Sequence, residues 1–150
     1  MPSMPSNTKC SHLGCKGARS KLNSFCMEHG GLQYMDTKQT SSAYQTAAWR
    51  TLRTVQLSRQ PLCQSCLLDG RIEAAQHVDH VFPWRALGKQ AFANNLFQSL
   101  CGACHSYKTG QEKQGRIVHY TATSRVDYTI NDYKQVMHAS SSSNTSFDQK

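Results

Sequence analysis

The stretch from His77 to Lys108 gathers the residues best able to do chemistry. It reads His77-Val78-Asp79-His80-Val81-Phe82-Pro83, then, after a gap, Asn94-Asn95-Leu96-Phe97-Gln98-Ser99-Leu100-Cys101-Gly102-Ala103-Cys104-His105-Ser106-Tyr107-Lys108. Carboxylate and imidazole suit a divalent cation of hard or borderline character, whereas paired thiolates suit zinc. Two kinds of metal chemistry are therefore interleaved in one short stretch. Successive side chains of a strand face opposite ways, so Asp79 and His80 cannot share one job. One can bind metal while the other acts on a water, and His105 can complete a metal site with Asp79. An imidazole near its ordinary pKa of about 6.5 suits a general base at neutral pH. A cation held by one carboxylate and one imidazole keeps positions open for water and a phosphate oxygen. Those parts suffice for phosphodiester hydrolysis.

The cysteines divide into two sets. Cys63-Gln64-Ser65-Cys66 pairs with Cys101-Gly102-Ala103-Cys104, and two such knuckles make an all-thiolate zinc site. Nearer the start, Cys10 and Cys15 precede Cys26-Met27-Glu28-His29, which gives three thiolates and an imidazole for a second zinc. Gly14, Gly30 and Gly31 supply turn freedom beside those ligands. His12 competes as a ligand, but it lies inside the first pair, where a chelating loop would be strained. The chain has 7 cysteines, and an odd count in spaced pairs fits metal ligation better than a disulfide framework. A thiol oxidoreductase is a distant alternative, since no thioredoxin-like pattern surrounds either Cys-x2-Cys.

The elements that must position these groups are modest. With 150 residues, 38% of them hydrophobic, and a mean hydropathy of −0.60, a large core is not expected and staples such as metal or disulfides are needed, either of which the cysteines could supply. A net charge of +8 and a pI near 9.3 point to a polyanion such as nucleic acid, although many small basic proteins bind none. The opening Met1-Pro2-Ser3-Met4-Pro5-Ser6 has no apolar run for a signal peptide, and no membrane span is visible, so a reducing cytoplasm is expected.

In chain order, residues 1–31 form an N-terminal zinc-knuckle module with a polar start, and 32–43 a linker. From about Tyr44 to Ser58, Ala48, Trp49, Leu52 and Val55 recur at helical steps with Arg50 and Arg53 off the stripe, so an amphipathic helix is expected, stopped before Pro61. Trp49 reads as core rather than as a stacking platform for bases. Asp69-Gly70 reads as a turn, Ile72 to Phe82 as extended, 84–94 as a loop and Leu96 to Leu100 as a second strand. A helix from Cys104 to about Gln114 carries His105 and Lys108. Residues 116–138 supply a strand and a short helix as a C-terminal extension, and 139–150, with the Ser140–Ser143 run, a disordered tail. Arg50, Arg53, Arg85 and Lys108 are the expected DNA contacts.

The stretch Val78-Asp79-His80-Val81-x-Pro83 followed by Asn95-Leu96-x-Gln98-x-Leu100-Cys101-x2-Cys104-His105-x2-Lys108-Thr109 resembles the HNH endonucleases, the ββα-metal nucleases, and in particular small phage-encoded members. Upstream, Pro61-Leu62-Cys63-x2-Cys66 and Gly70-Arg71 are similar to that family too, and Gly14-Cys15 with Cys26-x2-His29 less specifically so. The likeness covers residues 10–115 and places the nuclease domain at 44–115. It implies a small metal-stapled α+β fold: a ββα-metal core with zinc knuckles, preceded by an amphipathic helix and an N-terminal zinc knuckle. It implies His80 as the base that deprotonates the attacking water, and Asp79 with His105 as holders of one divalent ion (magnesium, manganese, cobalt or nickel). Asn95 would brace the hairpin and orient His80. Cys63, Cys66, Cys101 and Cys104 would hold structural zinc. His77 is an extra imidazole without an assigned role. Double-stranded DNA is the implied partner, with a phage terminase as a second, and packaging or homing in the host cytoplasm as the setting. The alternative from another class is a zinc-bound DNA-binding or scaffold protein without catalysis.

Overall fold

The computed structural model describes residues 8–20, 24–31 and 41–142. The first residues of the expected polar start, most of the expected linker and the last part of the expected tail lie outside the described residues.

Thr46 caps the first long helix by accepting a hydrogen bond from the Trp49 amide at 3.2 Å, and α1 runs over Ala47–Arg59. The residue before a proline is disfavoured in helical conformation, and Gln60 (φ −134°, ψ 79°) ends the helix ahead of Pro61. The packed face is rotated from the one that apolar spacing suggests. Trp49 is buried and Leu52, Arg53 and Gln56 are half-buried, while Ala48 and Val55 face solvent. Polar side chains cause the rotation: Gln56 Nε2 donates to Ser99 Oγ and Arg53 Nη2 to the Gln76 carbonyl, each at 3.0 Å.

Beyond Pro61, Leu62 bridges Ala74 and the Cys63 amide donates to the Glu73 carbonyl at 2.8 Å. The short helix α2 (Gln64–Leu68) then turns at Asp69 and at Gly70, whose φ of 75° is left-handed. Strands β1 (His77–His80) and β2 (Phe97–Leu100) pair antiparallel, with Asp79 opposite Gln98 and His80 opposite Phe97. The 84–94 connection is not plain loop. It holds α3 (Trp84–Leu87) and α4 (Gln90–Ala93), because Gly88 (φ 109°) permits the reversal between them and Trp84 and Ala91 both find buried places.

Helix α5 (Gly102–Lys113) leaves β2 directly through Cys101. His105, Lys108 and Glu112 stand three and four residues apart and so share one face of α5. Beyond it the sequence suggested one strand, and the structure has two, β3 (Ile117–Tyr120) and β4 (Arg125–Tyr128), paired antiparallel. A turn at Ile130–Asp132, capped by Thr129, leads into α6 (Tyr133–Ser142). A tail beginning at Ala139 is thus corrected: the helix continues to Ser142. Serines usually compete with helices, but here Ser140, Ser141 and Ser142 donate to the carbonyls of Val136, Met137 and His138 at 3.0, 3.1 and 3.1 Å.

Two apolar clusters hold these elements. One joins Cys63, Cys66 and Leu100 to Val118 and Tyr120 of β3; the other packs Tyr128, Ile130, Tyr133 and Val136 on Val81, Phe82 and Ile117. The C-terminal segment therefore shares its core with the β1–β2 hairpin. The Gln98 side chain fastens the two further, donating to the Val118 carbonyl (3.0 Å) and accepting from the Tyr120 amide (2.9 Å), much as a neighbouring strand would. No helix among the described residues is long and apolar enough to cross a membrane.

Candidate active site and metal centres

Alternation along β1 sends His80 and Asp79 into different surroundings. His80 is buried among rings. Trp49 lies parallel to it (centroids 5.2 Å apart, planes 9° apart), with Phe92 at 4.9 Å and Phe97 at 5.1 Å. Its Nε2 is 2.9 Å from the Phe92 carbonyl. A carbonyl only accepts, so Nε2 carries the hydrogen and the neutral ring keeps its lone pair on Nδ1. Burial pushes the His80 pKa down to about 4, which corrects the expectation of an ordinary imidazole and leaves the ring neutral at pH 7.

Asn95 is also buried, but it does not bond His80. Its Oδ1 accepts from the Phe82 amide (3.1 Å), and its Nδ2 donates to the carbonyls of Phe82 (2.9 Å) and Ala91 (2.8 Å). Any orienting of His80 by Asn95 therefore runs through the backbone. Asn95 clamps the connection between the strands, and that connection offers the Phe92 carbonyl to the ring.

On the other face, Asp79 Oδ2 meets Gln98 Nε2 at 2.9 Å and Lys108 Nζ at 3.0 Å, while Oδ1 stands 3.6 Å from His105 Nε2. Burial lowers the His105 pKa against the pull of Asp79, so this imidazole too is neutral and able to ligate. Two neighbouring ligands at about 2.1 Å from one ion stand roughly 3 Å apart or somewhat more, so Oδ1 and Nε2 fit a shared cation. His77 lies flat on His105, centroids 4.6 Å apart and planes 12° apart. The two faces of β1 open on one cleft of about 260 Å³ lined in part by Tyr44, Asp79, His80, Arg85 and His105.

Lys108 does not reach this cleft as a DNA contact. It is 0% exposed, donates to the His80 carbonyl at 2.7 Å and pairs with both Asp79 and Glu112. Burial alone would lower its pKa, but the two carboxylates carry it above the ordinary lysine value. Arg85 does line the cleft, whereas Arg50 and Arg53 sit on α1 and donate to the carbonyls of Gln45 (2.9 Å) and Gln76 (3.0 Å). Lys108 was misread because its positive charge is visible in sequence and its burial is not. A lysine four residues before Glu112 is the one clue to an internal pair.

Both cysteine sets converge. Ligand atoms of Cys63, Cys66, Cys101 and Cys104, and those of Cys10, Cys15, Cys26 and His29, lie within 4.8 Å of one another in each group. Thiolates around tetrahedral zinc at about 2.3 Å stand about 3.8 Å apart. Cys66 Sγ is 3.7 Å from that of Cys104 and 3.9 Å from that of Cys101. The Cys104 amide, opening α5, brings the Cys101 thiol down to about 7, within reach of the thiolate at neutral pH. In the N-terminal set, His29 Nδ1 is 3.2 Å from Cys26 Sγ and 3.5 Å from Cys10 Sγ. His12 is no ligand there; its ring covers His29, centroids 3.9 Å apart.

Residues that sequence reading left without a role include Gln98, Glu112, Tyr44 and the Phe92 carbonyl. Gln98 could have been found from its place opposite Asp79. The Phe92 carbonyl could not, because a backbone acceptor has no residue type.

Residues 63–111 match the family model of the HNH endonucleases. Among solved structures, the chain is similar to the HNH endonuclease of the deep-sea thermophilic bacteriophage GVE2, crystallised with manganese, at 35% identity over 51% of this chain and 85% of that one, with a TM-score of 0.45. No curated protein sequence gives a match. The family segment takes in both strands, the clamp between them, the four-cysteine set that begins at Cys63 and the face of α5 that carries His105. With that segment matched, and with 35% identity over 85% of the length of a phage HNH endonuclease, the chain belongs to the HNH endonucleases, phosphodiester hydrolases that act on DNA.

Proposed function

We propose that this nuclease cuts duplex DNA at the β1 cleft, with His80 as general base and a divalent ion held by Asp79 and His105. One observation carries the reading. Adjacent residues of one strand pair a neutral imidazole of fixed tautomer with a carboxylate whose Oδ1 faces a second imidazole at 3.6 Å. His80 takes the proton of the attacking water at Nδ1, while Trp49 and Phe92 hold the ring and keep bulk solvent from it. Magnesium, manganese, cobalt or nickel at Asp79 and His105 would supply positive charge to the phosphate and the leaving oxygen. Asn95 positions His80 through the 82–92 connection. Arg85 in the cleft and Arg50 on the exposed side of α1 supply phosphate contacts, and Arg53 adds its charge from where it bonds the Gln76 carbonyl.

In this reading 44–115 is the nuclease domain, 1–31 a zinc-knuckle module and 116–138 an extension of the same core. Zinc sits in both ligand sets, Cys63/Cys66/Cys101/Cys104 and Cys10/Cys15/Cys26/His29. A phage setting in the host cytoplasm, with packaging beside a terminase or homing as the role, rests on the resemblance of the motifs to small phage-encoded members.

The test is supercoiled plasmid incubated with the purified chain and magnesium or manganese. Conversion to nicked or linear DNA that chelator abolishes is expected. DNA binding without cleavage under magnesium, manganese, cobalt and nickel alike would sink the assignment of the cleft and leave a zinc-bound binding module.

A further inference from the structure

We infer that Lys108 and Glu112 govern how tightly the active site holds its cation, by occupying one oxygen of Asp79 and offsetting its charge. The inference rests on the proposed ion site at Asp79 and His105. Lys108 is 0% exposed, so it takes no part in DNA contact, and burying a charge without strong partners is costly. Its partners explain the placement. Nζ contacts Asp79 Oδ2 at 3.0 Å, pairs with Glu112 and donates to the His80 carbonyl at 2.7 Å. Gln98 Nε2 adds a second donor to the same Oδ2 at 2.9 Å. With both donors on Oδ2, the carboxylate presents Oδ1 alone to the cation, in monodentate fashion. The internal group of two carboxylates and one ammonium carries a single net negative charge beside a neutral His105. Cation affinity rises with the charge of the ligand set, so the lysine keeps the ion weakly bound and its coordination open for water and phosphate. The same ammonium ties the backbone of the base-bearing residue to α5, so base and cation site move as one.

The charge count gives variants of opposite sign. Lys108→Met leaves two carboxylates unopposed, whereas Glu112→Gln leaves the ammonium matched by Asp79 alone. Manganese titrated calorimetrically into the zinc-loaded full chain, without DNA, reads the affinity directly. Lys108→Met should bind manganese about tenfold tighter or more and Glu112→Gln about tenfold weaker. Should Lys108→Met fail to fold by circular dichroism, Glu112→Gln decides alone, since it keeps a hydrogen-bond acceptor for Lys108. Affinities within about twofold of wild type in the folded variants, with binding abolished in Asp79→Ala, overturn the inference and spare the ion site. Manganese bound undiminished by Asp79→Ala refutes the ion site itself.

Discussion

The two faces of β1 reach a working group by opposite means. The His80 face is dry and aromatic: rings from α1, α4 and β2 surround the imidazole, and one backbone carbonyl sets its tautomer. The Asp79 face is polar and crowded with charge, and a buried ammonium and an amide hold the carboxylate. Backbone and register are common to both. The difference comes from alternation along the strand and from which element covers each side, α1 on one and α5 on the other. In the proposed reading, burial leaves the base His80 uncharged and ready to accept a proton, whereas a matched ion pair fixes the ligand Asp79 without removing its charge. One short strand thereby supplies two chemistries that would interfere if they shared a face.

The largest effect should come from emptying the dry face. His80→Ala is expected to lower the cleavage rate by about 10²–10⁴-fold. Manganese affinity, zinc content and DNA affinity should stay close to wild type, since no metal ligand is removed. Steady cleavage by His80→Ala, together with loss of cleavage in His77→Ala, would break the division of labour between the faces and move the base to the imidazole stacked on His105.

A smaller effect is expected from acid. A protonated imidazole cannot take a proton, so activity is lost as the pH falls through the pKa of the folded state. Burial has moved that pKa for His80 from 6.5 to about 4, and the His105 pKa is lowered as well. Cleavage should therefore stay level from neutral pH to well below 6.5, with zinc content checked at each point. A rate that halves near pH 6.5 would mean that the aromatic face is open to water when DNA is bound, and the contrast between the faces would narrow.

What the sequence made legible follows from what residue type can encode. Metal ligation demands Cys, His and Asp at fixed spacing, so the convergence of both cysteine sets and the approach of Asp79 to His105 could be anticipated from residue type. The separation of Asp79 from His80 needed only the two-residue period of a strand. Burial and backbone partners were not legible. Lys108 carries the same letter whether it meets phosphate in solvent or two carboxylates in the interior. The packed side of α1 was misjudged because Arg53 and Gln56 dock through hydrogen bonds, which an apolar stripe does not record. Asn95 was expected to brace the hairpin and orient His80; its side chain bonds the 82–92 connection, which emerges only once α3 and α4 are folded.

The smallest expected effect lies on the arginines proposed to approach DNA. Arg50 stands on the exposed side of α1, and Arg85 lines the cleft beside Asp79 and His80. Each phosphate neutralised releases condensed counterions, and each contact contributes about 0.9 to the slope of log affinity against log salt. Arg50→Ala should weaken binding modestly and flatten that slope by about 1 without changing the rate at saturating DNA. Arg85→Ala should flatten it similarly and also slow the saturated rate, because a cation in the cleft steadies the phosphate where charge develops. The paired measurement separates an approach surface from the reacting pocket. An Arg50→Ala slope equal to wild type would remove α1 from the DNA interface and leave that helix a single duty, holding Trp49 against His80.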